Sequence, residues 1–410
     1  MTTRTRTAIT AIAALGLVTA ACGDGDEDPV DTTAARATDT TEARADTSAA
    51  GGGATTAGDA EGSGPAGGAV DLSDVCPDTI VIQTDWFPES EHGGLYQMIG
   101  DDYEVDIDTK VVRGPLVAAG EETGVQLEVR TGGPAIGNQA VSVQQYTDDS
   151  ITLGYANTEG QVVRWADTPT ISVLAPLEIN PQIIYWDPEV YPEIETLADL
   201  GEAGVTINIF EGGRFAGVFV GQGVWTEDQI DDSYDGSSTR FIAEGDIAQQ
   251  GFASAEPYNY EFVFEDFAKP LAYQLLHDAG FEVYSQTLSV RPDQLAELSP
   301  CLERFVPIAQ QAQVDFVNDP ARANSIIIDA VEQYADFWTY DEALAEYSVA
   351  TQVELGIVGS GPDDTLGNME EERIQGVIDQ IRDDAGIAIP ADLEAADIFT
   401  NEFVDPDIGL

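Results

Sequence analysis

The sequence predicts a bilobal α/β protein: two α/β lobes joined by a hinge, with a helical tail at the C-terminal end. Three observations carry this. Short β-branched runs alternate with helix-period segments from residue 79 onward, the signature of sheets covered by helices. The alternation passes through two successive cycles. After residue 292 the pattern turns almost wholly helical.

Ahead of the first cycle, residues 1–22 read MTTRTRTAITAIAALGLVTAAC. Arg4 and Arg6 form a positive head, residues 8–18 a short apolar run, and Ala20 and Ala21 precede Cys22. This is an export signal, too short for a membrane span of about 20 apolar residues. The cysteine after small residues resembles a bacterial lipobox, although Thr19 stands where leucine is usual. The resemblance implies cleavage after residue 21 and lipidation of Cys22. Residues 22–72 are rich in Gly, Ala, Thr, Asp and Glu and hold no aromatic residue. Such a stretch cannot bury enough apolar surface to offset chain entropy and is expected to be a disordered, lipid-anchored linker.

Strands are expected at 79–84, 125–130, 150–155 and 171–175, with helices at 91–99 and 138–146 between them. The second cycle places strands at 181–186 and 205–210, a helix near 214–223, further elements at 238–243 and 246–253, and sheet again at 258–264. A helix over 270–279 then leads to a strand over 281–285. The tail holds helices over 292–318, 320–334, 341–353 and 370–385, the last ended by Gly386. The expected lobes are 73–175 plus 287–410, and 176–286. The tail is expected to return to the first lobe, so that the chain crosses between lobes twice.

Composition narrows the function. The chain has 410 residues, with 16 Lys plus Arg against 75 Asp plus Glu, a net charge of −59. A surface of that sign repels nucleic acid and anionic membrane, both of which are bound through Lys and Arg. Two histidines and three cysteines exclude zinc-finger and disulfide-dense scaffolds. With Cys22 assigned to lipid, Cys76 and Cys301 remain. In an oxidising compartment a disulfide between them is favoured over two buried thiols.

Residues 83–96, Gln-Thr-Asp-Trp-Phe-Pro-Glu-Ser-Glu-His-Gly-Gly-Leu-Tyr, carry a resemblance. They resemble solute-binding proteins of ABC importers, in the thiamine-pyrimidine and nitrate/sulfonate/taurine group. Asp85, Trp86, Pro88, His92, Gly93 and Tyr96 fall on that group's Trp-x-Pro and His-x-Gly positions. Gly132-Gly133-Pro134, Glu256-Pro257, Leu366–Met369 and Asp397–Phe403 follow in the group's order. The chain departs from the group in carrying an extra stretch, 101–124, whose residues 103–113 alternate like a hairpin. The resemblance implies a periplasmic-binding-protein-like (type II) fold. It implies an exported, monomeric binding protein, lipid-anchored on the extracellular face of the cell membrane, that captures a small-molecule ligand for an ABC permease.

In open α/β sheets ligands sit at the carboxyl ends of strands, so the cleft between the lobes is the default site. Trp86 either stacks on a flat ring or packs the core. Asp85 either accepts a proton from a ring nitrogen or amine or caps the turn. His92 either hydrogen-bonds a heterocycle or serves structure. Gly133 and Pro134 open a helix whose N–H groups suit an anion, and Arg214 offers a bidentate contact. Asn157 and Glu159 border the first lobe, Glu256 and Tyr258 the second. The ligand favoured is a thiamine-pyrimidine-like nitrogen heterocycle. Sulfonates, nitrate-like anions and flavin-type rings are the alternatives. No metal and no cofactor is expected. Fungal pyrimidine synthases resemble the same group but use a lysine-bound pyridoxal phosphate and a cysteine-rich run. Here Lys110 and Lys269 are the only lysines, and no Ser-His-Asp arrangement or Walker loop is present, so no enzyme is expected. A surface lipoprotein recognising a protein partner is the third reading.

Overall fold

The structure, a computed structural model, describes residues 70–410. The expected signal over 1–21, the lipidation of Cys22 and nearly all of the 22–72 linker lie outside the described residues. The folded part begins slightly before residue 73: Leu72 is fully buried and its N–H donates to Thr123 O at 2.8 Å.

Two sheets organise the molecule. The first is built on β1 (Thr79–Gln83), β4 (Glu121–Arg130) and β5 (Leu153–Ala156), with β1 central and parallel to both. Ile80 and Ile82 of β1 are fully buried, as a strand covered on both faces requires. On one side β6 (Ile171–Leu174) is reached only through β12 (Thr287–Val290), which runs antiparallel to β5 and β6. On the other side lies the extra stretch. Strands β2 (Glu104–Asp106) and β3 (Val111–Ala118) extend the sheet as antiparallel neighbours of β4. Glu128 ties them in, lying opposite Arg113 and bonding both Arg113 Nη2 at 2.6 Å and Arg130 Nε at 2.7 Å.

The second sheet has the order β11-β7-β10-β8-β9. Its members are β7 (Gln182–Trp186), β8 (Thr206–Phe210), β9 (Ile230–Tyr234), β10 (Ile247–Phe252) and β11 (Ala272–Leu275). β8 is parallel to β9 and β10, and β7 is antiparallel to β10 and β11. The sheets are connected by residues 175–181 and 276–286, so the chain crosses twice. The bilobal α/β fold with a hinge is therefore what the chain adopts.

Several elements differ from the sequence expectation. Residues 258–264 are helical, a short turn over Glu256–Tyr258 followed by a π-turn over Asn259–Val263. Aromatic residues at every second position also satisfy i, i+4 spacing, and Tyr258 packs on Phe262 and Tyr260 on Phe264. Within 270–279, expected to be a helix, Ala272–Leu275 pairs with Trp186–Ile183 as an edge strand. The strand expected at 281–285 lies at 287–290. Phe281, Val283 and Tyr284 are buried without belonging to a strand.

The tail divides between the lobes. Two of its helices, α8 (Pro292–Asn318) and α9 (Ala321–Tyr334), pack on the first lobe against the helix over Gly93–Gln97. A Cβ on Gly93 would come 2.2 Å from the Phe316 ring, so this approach needs glycine. The later helix α11 (Glu371–Asp379) and the turn over Gln380–Asp384 instead pack against the second lobe's helix over Arg214–Gly221 and against the helix over Thr158–Arg164 of the first. Residues 371–384 are thus a bridge, correcting the assignment of all of 287–410 to the first lobe. Their apolar face (Ile374, Val377, Ile378, Ile381) completes the core around Phe215 and Phe219. Cys76 and Cys301, 225 residues apart, form a disulfide joining the start of the fold to α8.

Candidate functional site

Strand β1 ends at Gln83, and the turn that follows lies where the lobes meet. Asp85 and Trp86 on it are half-buried, whereas Glu89, Glu91 and His92 are buried. His92 Nε2 lies 2.9 Å from Asp85 Oδ1. Gln286, in the second crossing, donates its Nε2 to both Asp85 carboxylate oxygens at 3.2 Å. One turn, one helix start and one hinge strand therefore converge on Asp85.

The second lobe closes on this turn directly. Ser254 donates its hydroxyl to Glu91 Oε1. The Trp86 ring meets Phe210 at 6.2 Å and Trp338 at 5.9 Å, both edge-on, and Phe210 packs on Tyr234 at 4.5 Å. The turn lies at the lobe interface, but the interface is shut. A lobe-spanning cavity of about 250 Å³ lies beyond Trp338, with Asn259 and Val263 on one wall and Tyr340 and Leu344 on the other. None of residues 85–92 is in its walls. The open gap walled by that turn, which the sequence reading anticipates, is not what this closed arrangement presents.

The electrostatics of the interface are one-sided. Burial pushes the Glu89 carboxyl well above its ordinary range, with Glu91, Asp85 and Glu256 adding repulsion. Burial also raises Glu91, opposed by the Ser254 hydrogen bond. Glu256 is pushed up to about 7, chiefly by burial, although the Phe252 N–H donates to it at 2.6 Å. Glu159 is raised to about 7, again chiefly by burial, with Arg214 across the interface opposing the shift. Several acceptors are buried and unpartnered among the described residues: His92 Nδ1, Gln286 Oε1, Gln249 Oε1 and Glu159 Oε2.

The residues expected at the site separate into three sets. Asp85, Trp86, His92 and Glu256 come together. Glu159 and Arg214 oppose each other across the lobes. The remainder serve structure or stand at the edge. Gly133, at φ +56°, lies flat on Trp86, where a Cβ would come 2.5 Å from the indole. The Gly132 N–H is already donated to Trp86 O at 2.9 Å, so the glycine pair seats the indole and this N–H is not free for an anion. Pro134 is exposed. Asn157 is exposed and caps its helix through the Gly160 N–H at 2.7 Å. Tyr258 packs on Tyr347 at 5.3 Å. Sequence reasoning missed Glu89, Glu91, Ser254, Phe210, Gln286 and Trp338. Glu89 and Glu91 were legible as the acidic pair inside the resembling segment; nothing local marks the others.

No protein-family model and no curated protein matches the chain. Among solved structures, it is similar to the alkanesulfonate-binding protein of Xanthomonas axonopodis pv. citri bound to MOPS, at 13% identity and TM-score 0.49 over 79% of this chain and 98% of that one. It is similar to the periplasmic nitrate-binding protein of Synechocystis PCC 6803, at 10% identity and TM-score 0.48 over 80% of this chain and 87% of that one. It is also similar to the ligand-binding component of an ABC-type import system from Staphylococcus aureus with zinc bound, at 10% identity and TM-score 0.48 over 79% and 97%. Among the described residues of this chain, no group of three or more His, Cys, Asp or Glu side chains is arranged to hold a metal ion, and no helix is long and apolar enough to cross a membrane.

Proposed function

We propose that this chain is the substrate-binding protein of an ABC importer. Exported and anchored through lipidated Cys22, it captures a small molecule between its lobes and presents it, as a monomer, to a membrane permease. The observation that carries the reading is the convergence of Asp85, Trp86 and His92 with Glu256 and Phe210 of the other lobe at the carboxyl ends of strands. Closure about two crossings is worth driving only if the ligand binds the closed form better than the open one. The favoured ligand is a nitrogen heterocycle of the thiamine-pyrimidine kind, with Trp86 covering the ring and Asp85 accepting from its N–H groups. Sulfonate, nitrate-like and flavin-type ligands are the competing readings. Catalysis through a lysine is disfavoured, because Lys110 is paired with Asp336 at 2.8 Å and Lys269 with Asp187 at 2.6 Å.

Thermal-shift screening against these ligand classes tests the reading, since binding raises the melting temperature by mass action. Trp86→Ala is expected to weaken the responding ligand by tenfold or more while the unliganded fold, followed by circular dichroism, stays intact. An unchanged shift in that variant removes Trp86 from the site.

A further inference from the structure

We propose that the molecule captured here is an organic cation rich in N–H donors, held between carboxylates contributed by both lobes. This rests on the capture reading above and narrows it by charge.

The first support is the distribution of charge. Asp85, Glu89 and Glu91 lie within seven residues on one lobe, and Glu256 faces them from the other. Glu89 and Glu91 are 7% and 3% exposed. Buried carboxylates are ordinarily matched by buried cations. Here the basic group bonded within the cluster is a single imidazole, His92, while Arg214 opposes Glu159 instead.

The second support is the sign of the unfilled hydrogen bonds. Asp85 accepts from Gln286 through both carboxylate oxygens, which fixes the amide with its NH₂ toward Asp85. The Gln286 Oε1 is then a buried acceptor with no partner. His92 Nε2 bonds the same carboxylate, so in the neutral ring Nδ1 is a second unpartnered acceptor. Both side chains are more than nine-tenths buried. An anion brought here would meet the Asp85 carboxylate and further unpartnered acceptors, whereas a protonated nitrogen compound with N–H groups supplies the donors that are lacking. Trp86 adds an aromatic wall suited to a cation.

Glu89, Glu91 and Glu256 all titrate above their ordinary range when the lobes are shut. The arriving cation favours their ionised forms, so it displaces protons to solvent. The titratable groups facing them are Asp85 and His92, with the phenols of Tyr96 beside Glu89, Tyr340 beside Glu91, and Tyr185, Tyr234 and Tyr260 beside Glu256.

The test uses the full chain with thiamine, agmatine and spermidine as cationic probes rich in N–H groups, and ethanesulfonate, nitrate and riboflavin as the contrast, in 0.3 M NaCl to screen the surface charge. Expected is a melting-temperature rise with at least one cation, proton release by titration calorimetry in two buffers of different ionisation enthalpy, and at least tenfold weaker binding in the Glu91→Gln/Glu256→Gln double variant. Gln preserves the Ser254 and Phe252 hydrogen bonds, so the variant keeps the fold. No response to any cation, or a cation response unaltered in the double variant, overturns the proposal. A response to ethanesulfonate or riboflavin alone overturns the charge assignment and leaves capture standing. No melting-temperature rise with any of the six probes removes the capture reading as well.

Discussion

Glu256, half-buried beside other carboxylates, makes the unliganded molecule sensitive to pH. The unfolded Glu256 titrates near 4.5 and the folded one at about 7. Below the lower value both states hold the proton. Between the two, the unfolded chain gives up the proton while the folded one keeps it, so stability falls as pH rises and levels out above about 7. Glu159 acts in the same direction. The unliganded protein is therefore expected to melt several degrees higher at pH 5 than at pH 8. General repulsion in a chain of net charge −59 pushes the same way, so the diagnostic measurement is comparative. Glu256→Gln should flatten the pH dependence of the melting temperature by calorimetry, worth about 1–3 kcal/mol across that interval. A variant with the wild-type slope would place Glu256 in contact with water.

At the scale of elements, the molecule is held by devices that join distant parts of the chain. The hairpin of β2 and β3 does more than widen a sheet. Its Lys110 reaches Asp336 at 2.8 Å and lies over the rings of Tyr334 and Phe87, pinning the segment that carries Trp338 against Trp86. The Cys76–Cys301 disulfide ties the first folded residues to α8 across 225 positions. Closing a loop of that length restricts the unfolded ensemble by about 5 kcal/mol in the chain-entropy account. Cys301→Ala in the purified protein is expected to lower the melting temperature by several degrees without altering far-ultraviolet dichroism. A drop of less than a degree would mean that the denatured chain is already compact at these sites.

Taken whole, the molecule depends on how its two crossings are fastened. Arg373, on the bridging helix, is 6% exposed in its side chain and pairs with Glu178 Oε1 at 3.0 Å. It also donates to the carbonyls of Glu178 at 2.8 Å, Glu282 at 2.6 Å and Val283 at 3.1 Å, and stacks over Tyr284 at 3.8 Å. Glu178 belongs to one crossing and residues 282–284 to the other, so one guanidinium clasps both hinge strands. Arg373→Met removes these bonds and leaves a poorly exposed carboxylate unpaired, at a cost of about 3 kcal/mol or more. Expected are a lower melting temperature and, below it, a larger radius of gyration by small-angle scattering for the unliganded protein. A destabilised variant of unchanged size would make Arg373 a prop of the second core rather than a fastener of the lobes.

The sequence by itself determined the alternation of strands and helices, the helical tail up to residue 385 and the place of the 83–96 segment at the end of a buried strand, because period and β-branching are local properties. It also marked the extra hairpin through its alternation. Only the tertiary structure decided which strand β12 separates, that Ala272–Leu275 forms an edge and that residues 371–384 bridge the lobes, since sheet partners are chosen by long-range pairing. The same holds for the site. Asp85, Trp86 and His92 are neighbours in the chain and were legible together. Gln286, Ser254, Glu256 and Phe210 reach them from positions far along the chain, and no sequence window shows that Glu256 comes close enough to Glu89 to add to the repulsion there.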